Sequence, residues 1–199
     1  MRLIILCTAL AIFWSSCGQG VIQRTETGEY YTEKYSLRKK DQVKHGPYQK
    51  FTLDGTLLEE GTYVDGQLNG ELKKYIAGKI ASIETMEMGV YQGLYQSFYP
   101  DGGVNSVGRY EQDKMVGVWK RYYKNGQLME EVSFEDNLEN GPFKEYYENG
   151  NIKAEGTYQN GDFEHGELLL YNEQGELIRK MDCKEGICRT TWEIGTPEQ

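Results

Sequence analysis

Short aromatic runs alternate with glycine-centred breaks along most of the chain. Val118-Trp119-Lys120-Arg121-Tyr122-Tyr123 and Pro142-Phe143-Lys144-Glu145-Tyr146-Tyr147 are each of strand length and aromatic, a composition that suits a pleated, half-exposed surface. Each run ends at Asp54-Gly55, Asp101-Gly102, Asn125-Gly126 or Asn149-Gly150. Asx-Gly between alternating runs predicts a two-residue type I′ turn, because both central residues need φ > 0. A return strand follows, as in Leu128-Met129-Glu130-Glu131-Val132-Ser133-Phe134, and Asp65-Gly66 or Asn160-Gly161 then turns into the next run. The predicted unit is a β-hairpin.

The units are in register. Gly46, Gly70, Gly93, Gly117, Gly141 and Gly166 form one series, spaced by 23 to 25 residues, and Gly55, Gly78, Gly102, Gly126, Gly150 and Gly175 form a second. A fixed period over six units means a repeat array. Counting back from a two-residue turn pairs Tyr147 with Ile152, Glu145 with Ala154 and Phe143 with Gly156 on one face. That face carries Tyr48, Leu72, Tyr95, Trp119, Phe143 and Leu168, with Tyr63, Met86, Tyr110, Phe134 and Tyr158 from the return strands. A ring laid over a facing glycine, as Phe143 over Gly156, covers the bare backbone. The opposite face is polar except for Phe51, Tyr75, Phe98, Tyr122, Tyr146 and Tyr171, a ladder of rings five residues after each first glycine. Two readings of the ladder stand open: stacking that stiffens a single-layer sheet, or a platform for sugar or peptide.

The unit from Gly141 through Asn149-Gly150 and Glu155-Gly156-Thr157-Tyr158 to Asn160-Gly161 resembles the bacterial variant of the MORN repeat, and the resemblance covers residues 46 to 188. Unit two departs from it, with Ala77-Gly78 at its turn and one residue fewer, and unit six has Cys183 where its neighbours carry an aromatic. The resemblance implies an all-β fold, an elongated single-layer antiparallel meander of tandem β-hairpins. It also implies contacts with protein or membrane and no catalysis. Proteins of this appearance are commonly labelled antitoxins of toxin-antitoxin systems, an association and not a property of the fold. Residues 29–45 read as an N-terminal capping strand without a first partner. Residues 189–199 read as a C-terminal cap and tail, with Trp192 where a seventh bulky residue would fall. With twelve to fourteen strands, the sheet should run on the order of 60 Å.

The beginning of the chain reads differently. Arg2 precedes about twelve apolar positions ending at Trp14, a length that fits a secretory signal over residues 1–16 and not a membrane span. Ser15-Ser16-Cys17-Gly18 resembles a lipobox, with Trp14 where that pattern has Leu. Cys17 is therefore the expected lipidated residue, and an ordinary cleaved signal is the alternative. Residues 17–28, polar after Gly18-Gln19-Gly20, read as a tether. The expected location is the cell envelope, anchored to a bacterial membrane by lipid and facing the periplasm.

Composition agrees with many short strands, since 16 Tyr and 24 Gly stand against only 4 Pro in 199 residues. The net charge of -9 disfavours nucleic acid, which calls for clustered Lys and Arg. It also leaves the lipid, and not a basic patch, to hold the chain at a membrane. No nucleophile elbow, phosphate loop or zinc-like cysteine spacing occurs in the chain. His45 and His165 fall in a slot filled elsewhere by Asn69, Gln92, Val116 and Asn140, which is a turn position. No catalytic residue, metal site or cofactor is expected. Cys183 and Cys188 flank a Gly-containing turn, where an oxidising compartment favours a hairpin disulfide over two free thiols. The function expected is a non-enzymatic, lipid-anchored β-surface for an unidentified protein partner, antitoxin-like in its finer form. The alternative is an envelope glycan bound through the aromatic ladder.

Overall fold

The computed structural model describes residues 20–195, and every strand in that span joins one antiparallel sheet. The strands are β1 (Val21–Thr27), β2 (Tyr31–Arg38), β3 (Lys44–Thr52), β4 (Leu57–Val64), β5 (Gln67–Leu68), β6 (Gly70–Ile76), β7 (Lys79–Glu87), β8 (Val90–Phe98), β9 (Val104–Glu111), β10 (Lys114–Tyr122), β11 (Leu128–Glu135), β12 (Leu138–Tyr146), β13 (Ile152–Tyr158), β14 (Gly166–Tyr171), β15 (Leu177–Lys184) and β16 (Ile187–Glu193). Their order across the sheet is their order in the chain, with two-residue β5 pairing beside β4. The all-β single-layer meander that the resemblance implies is the fold found.

Each hairpin from β3 to β15 carries two departures from a plain ladder, whereas β1–β2 pairs without a register shift. The first is at the turn. Gly150 N–H donates to Tyr147 O at 2.9 Å across a turn centred on Glu148 and Asn149, and Gly150 alone among these residues is left-handed, at φ 88°. This longer loop replaces the predicted type I′ turn, and it moves the register. Ile152 pairs with Tyr146 and not Tyr147, Ala154 stays opposite Glu145, and Lys153 is the extra residue of a bulge. Type I′ geometry instead occurs between units, where Asp136 and Asn137 take φ 54° and 72°. It also occurs at Ala77-Gly78, where φ values of 50° and 75° give unit two a two-residue turn and account for its missing residue.

The second departure is at the first glycine. Gly141, at φ 111°, lies in a bulge where Ser133 faces residues 140–142, between the pairs Val132↔Phe143 and Phe134↔Glu139. A Cβ at Gly141 would meet Ser133 Cβ at 3.1 Å. Two bulges per hairpin give the sheet repeated kinks and added twist.

The ends differ from expectation. Residues 21–27, placed in the expected tether, form β1, which pairs with β2 from Val21↔Arg38 to Thr27↔Thr32. β-Branched Val21, Ile22, Thr25 and Thr27 favour strand, and Gly28 N–H donates to Tyr31 O at the turn. β2 is therefore the second strand of a complete hairpin, not a lone cap. At the other end, Leu168↔Met181↔Thr190 shares one face and Leu169↔Lys180↔Trp192 the other, with a bulge between Lys180 and Met181. That bulge puts Trp192 on the ladder face. The signal segment 1–16, Cys17, the start of the expected tether and the tail 196–199 lie outside the described residues.

Candidate functional site

The core face is built around the series two residues after each first glycine. Tyr48, Leu72, Trp119, Phe143 and Leu168 are buried, Phe143 to 3% exposure. Burying such a ring stabilises by about 1.5–3 kcal/mol. The return-strand rings pack against them: Tyr48 meets Tyr63 edge-on at 5.2 Å, Trp119 meets Tyr110 at 5.2 Å, and Phe143 stacks on Tyr158 at 4.1 Å. Glycines make room. A Cβ on Gly108 would stand 2.0 Å from Trp119 Cδ2, and one on Gly156 would stand 3.0 Å from Phe143 Cε1. Phe143 does lie over Gly156, with Trp119 over Gly108 the closer instance. Val132, Phe143, Ala154, Leu168 and Cys183 form one buried cluster. Cys183 pairs with Cys188 across the last turn, and their sulfurs are joined as a disulfide.

The ladder rings lie on the other face, and four of the six are tied down individually. Tyr75 donates to Glu60 at 2.7 Å, Tyr146 to Glu131 at 2.9 Å and Tyr171 to Glu155 at 2.7 Å, each glutamate standing on the neighbouring return strand. Burial and Glu60 push the Tyr75 hydroxyl up to about 12, as burial and Glu131 do for Tyr146. The hydrogen bond to Glu155, with burial, does the same for Tyr171, up to about 12. Lys34 covers the Phe51 ring at 4.7 Å. Beside Phe98 and Tyr122 the glutamate slot holds Ile83 and Val107. Tyr122 consequently has no hydroxyl partner among the described residues, and it lines a 440 Å³ hollow with Gln96, Val104, Val107 and Gly126. Among the described residues, ring contacts belong to the core face and none joins two ladder rings.

Two sets of positions escape a reading by composition. Tyr99, Tyr123 and Tyr147 donate to the carbonyls of Tyr122, Tyr146 and Tyr171 one unit on, at 2.7 to 2.8 Å. These hydroxyls satisfy main-chain groups just past the last rung of the ladder, as at Tyr146 beyond Glu130↔Glu145. Their spacing by 24 residues was the available signal. The second set lies two residues before each first glycine: Lys44, Leu68, Tyr91, Met115, Glu139 and Glu164. Each carbonyl there accepts an N–H from the turn one unit later, at distances from 2.8 Å for Gly66→Lys44 to 3.2 Å for Asn137→Met115. The side chains share the core face, because Glu139 pairs with Phe134 and Glu164 with Tyr158.

His45 sits in the turn slot. Its Nδ1 accepts from Asp65 N–H at 3.4 Å, as Asn69 Oδ1 accepts from Met88 N–H and Gln92 Oε1 from Gln112 N–H. Among the described residues no group of three or more His, Cys, Asp or Glu side chains is placed to hold a metal ion.

Residues 44–65, 115–136 and 139–160 match the MORN repeat variant family. These matches fall on hairpin β3–β4, on β10–β11, and on β12–β13 with its following turn. No curated protein sequence matches the chain. A crystal structure of TarM is similar at a TM-score of 0.34 and 12% identity, covering 60% of this chain and 22% of that one. That likeness is too remote to carry an argument.

Proposed function

We propose that this chain is a non-enzymatic repeat protein that offers its β-surface to a protein partner in the cell envelope, held there by lipid at Cys17. One observation carries the reading: the described strands form a single layer, so no second layer covers the aromatic core face. Around its buried centre this face leaves Tyr63, Tyr95, Tyr110, Phe134 and Tyr158 half-buried, and such rings with polar margins have the make-up of an interaction patch. Turn N–H groups and the Tyr99, Tyr123 and Tyr147 hydroxyls are meanwhile engaged in fastening one unit to the next. An antitoxin-like role is the finer form of this proposal. The signal segment motivates the location, and a Cys183–Cys188 disulfide suits an oxidising compartment.

Crosslinking in intact cells tests the reading, with a defined partner expected and with Cys17→Ala expected to abolish labelling by a fatty-acid analogue. Recovery of no partner at any crosslinker length would overturn it. Envelope glycan is a second reading, favoured at one place only, where Tyr122, whose hydroxyl has no partner among the described residues, lines the hollow beside Val107. Retention on a neutral polysaccharide that is lost when Tyr122→Ala is combined with Tyr146→Ala would select it.

A further inference from the structure

The slot two residues before each first glycine changes character along the core face. In unit one it holds Lys44, whose ammonium lies 4.4 Å from the Tyr35 ring, 4.9 Å from Tyr63 and 5.9 Å from Tyr48, and 3.3 Å from Glu33 Oε2. Burial works against that charge, yet Tyr63 and Glu33 raise the Lys44 pKa above the ordinary lysine value. The fold thus contains a seat for a cation and fills it with its own side chain.

In units five and six the same slot holds Glu139 and Glu164, again beside the rings Phe134 and Tyr158. Among the described residues neither carboxylate has an ion-pair partner. The cations that line the adjoining hollows are paired elsewhere, Arg121 to Glu130, Lys120 to Glu131 and Lys153 to Glu145. Glu139 is raised above the usual carboxylate range, by burial first and then by Glu130 and Asp162, with Arg121 opposing. Two hollows adjoin these groups. One of 240 Å³ is lined by Met115, Trp119, Phe134 and Glu139, with Lys120, Arg121 and Glu130 also in its wall, and one of 320 Å³ by Phe143, Tyr158 and Glu164, with Lys153 and Glu145. Trp119 is 8% exposed, and its Nε1–H has no hydrogen-bond partner among the described residues. A buried donor calls for an acceptor.

We propose that the core face of units four to six seats a lysine or arginine side chain from a peptide segment of the partner, with the cation between Glu139 and Glu164 over Phe134 and Tyr158. The peptide carries its own acceptors, and one of its main-chain carbonyls takes the Trp119 N–H. Opposite charge and aromatic faces favour a desolvated ammonium or guanidinium. This deepens the protein-docking reading above and rests on it.

Fluorescence anisotropy of a labelled (Gly-Lys-Gly)₃ peptide against the full chain in detergent tests the seat, with (Gly-Gln-Gly)₃ as the neutral comparison. The lysine peptide binds, and Glu139→Gln with Glu164→Gln weakens it by at least about tenfold. Glu148→Gln with Glu173→Gln, exposed at the turns, removes the same charge and leaves binding unchanged. Trp119→Phe, which keeps a ring and loses the donor, weakens binding about fivefold. Equal loss in both glutamine pairs means diffuse attraction and overturns the seat, as does failure to separate the two peptides. If a variant misfolds, tryptophan emission of the native chain decides, since only the lysine peptide should shift it. A crosslinked partner retained by the Glu139→Gln, Glu164→Gln chain removes the seat and leaves the docking reading standing. Peptide binding without any crosslinked partner does the reverse.

Discussion

The two ends of the core face share one backbone and opposite chemistry. At the N-terminal end Lys44, Glu33 and three tyrosines close on one another. At the C-terminal end Glu139 and Glu164 stand beside equivalent rings, and among the described residues neither has an ion-pair partner. In both, the carbonyl of the slot residue fastens the next unit, Lys44 to Gly66 and Glu139 to Gly161. Main-chain bonds hold the repeat together whatever the side chain, so the side chain is free to differ. A repeat protein can therefore vary its surface without disturbing its stacking.

The packing between the ends breaks most easily at Gly108. Gly108→Ala should cost at least about 3 kcal/mol in urea unfolding, because Trp119 and its ring neighbours cannot withdraw together. Gly61→Ala meets the flexible Leu72 Cδ1 at 3.2 Å and should cost about 1 kcal/mol. Equal losses would mean that the aromatic centre is no tighter than the N-terminal end.

The slot itself gives the next contrast. Lys44→Gln should cost about 1–2 kcal/mol, with its partly exposed setting keeping the value low. Glu139→Gln should cost nothing or raise the melting temperature, since it relieves repulsion from Glu130 and Asp162. A matching loss at both sites would erase the distinction between a filled seat and an open one.

Tyr147→Phe removes one staple, to Tyr171 O, and should cost about 1 kcal/mol. The lost bond joins two turns, so faster hydrogen exchange should appear at the turn after Tyr171 before it appears on β3.

The smallest effect is alkaline. Tyr75, Tyr146 and Tyr171 are raised in the folded chain, so folding holds their protons more tightly than the unfolded chain does. Their stabilisation is complete below about pH 10 and is lost as the pH rises towards about 12. Absorbance titration should show these three ionising late, and Tyr146→Phe should flatten the decline. Glu155 runs the other way. Its hydrogen bond from Tyr171 lowers it against the opposing effect of burial, so its contribution fades as the pH falls through the carboxylate range.

Much of the fold was legible before any coordinates. Glycines at φ > 0 leave a mark because few other residues tolerate that conformation, and Gly141 and Gly150 are two such places. Phe143 over Gly156 followed from counting along strands. The turn type did not, because Asn-Gly serves both a two-residue type I′ turn and a longer loop with glycine alone left-handed. β1 was missed because only Val21 and Ile22 of its seven residues are even half-buried, so its polar sequence looks like a linker.

By itself the sequence determined the hairpin unit, its six tandem copies and the core-face series from Tyr48 to Leu168, since strand alternation and obligate turn glycines are local requirements. Only the tertiary structure decided what the faces do. It brought Tyr146 to Glu131 and Tyr147 to Tyr171 O, and it placed Lys44 among three rings. Those contacts join different strands, and the bulges that set their alignment arise from main-chain pairing, which no single side chain records.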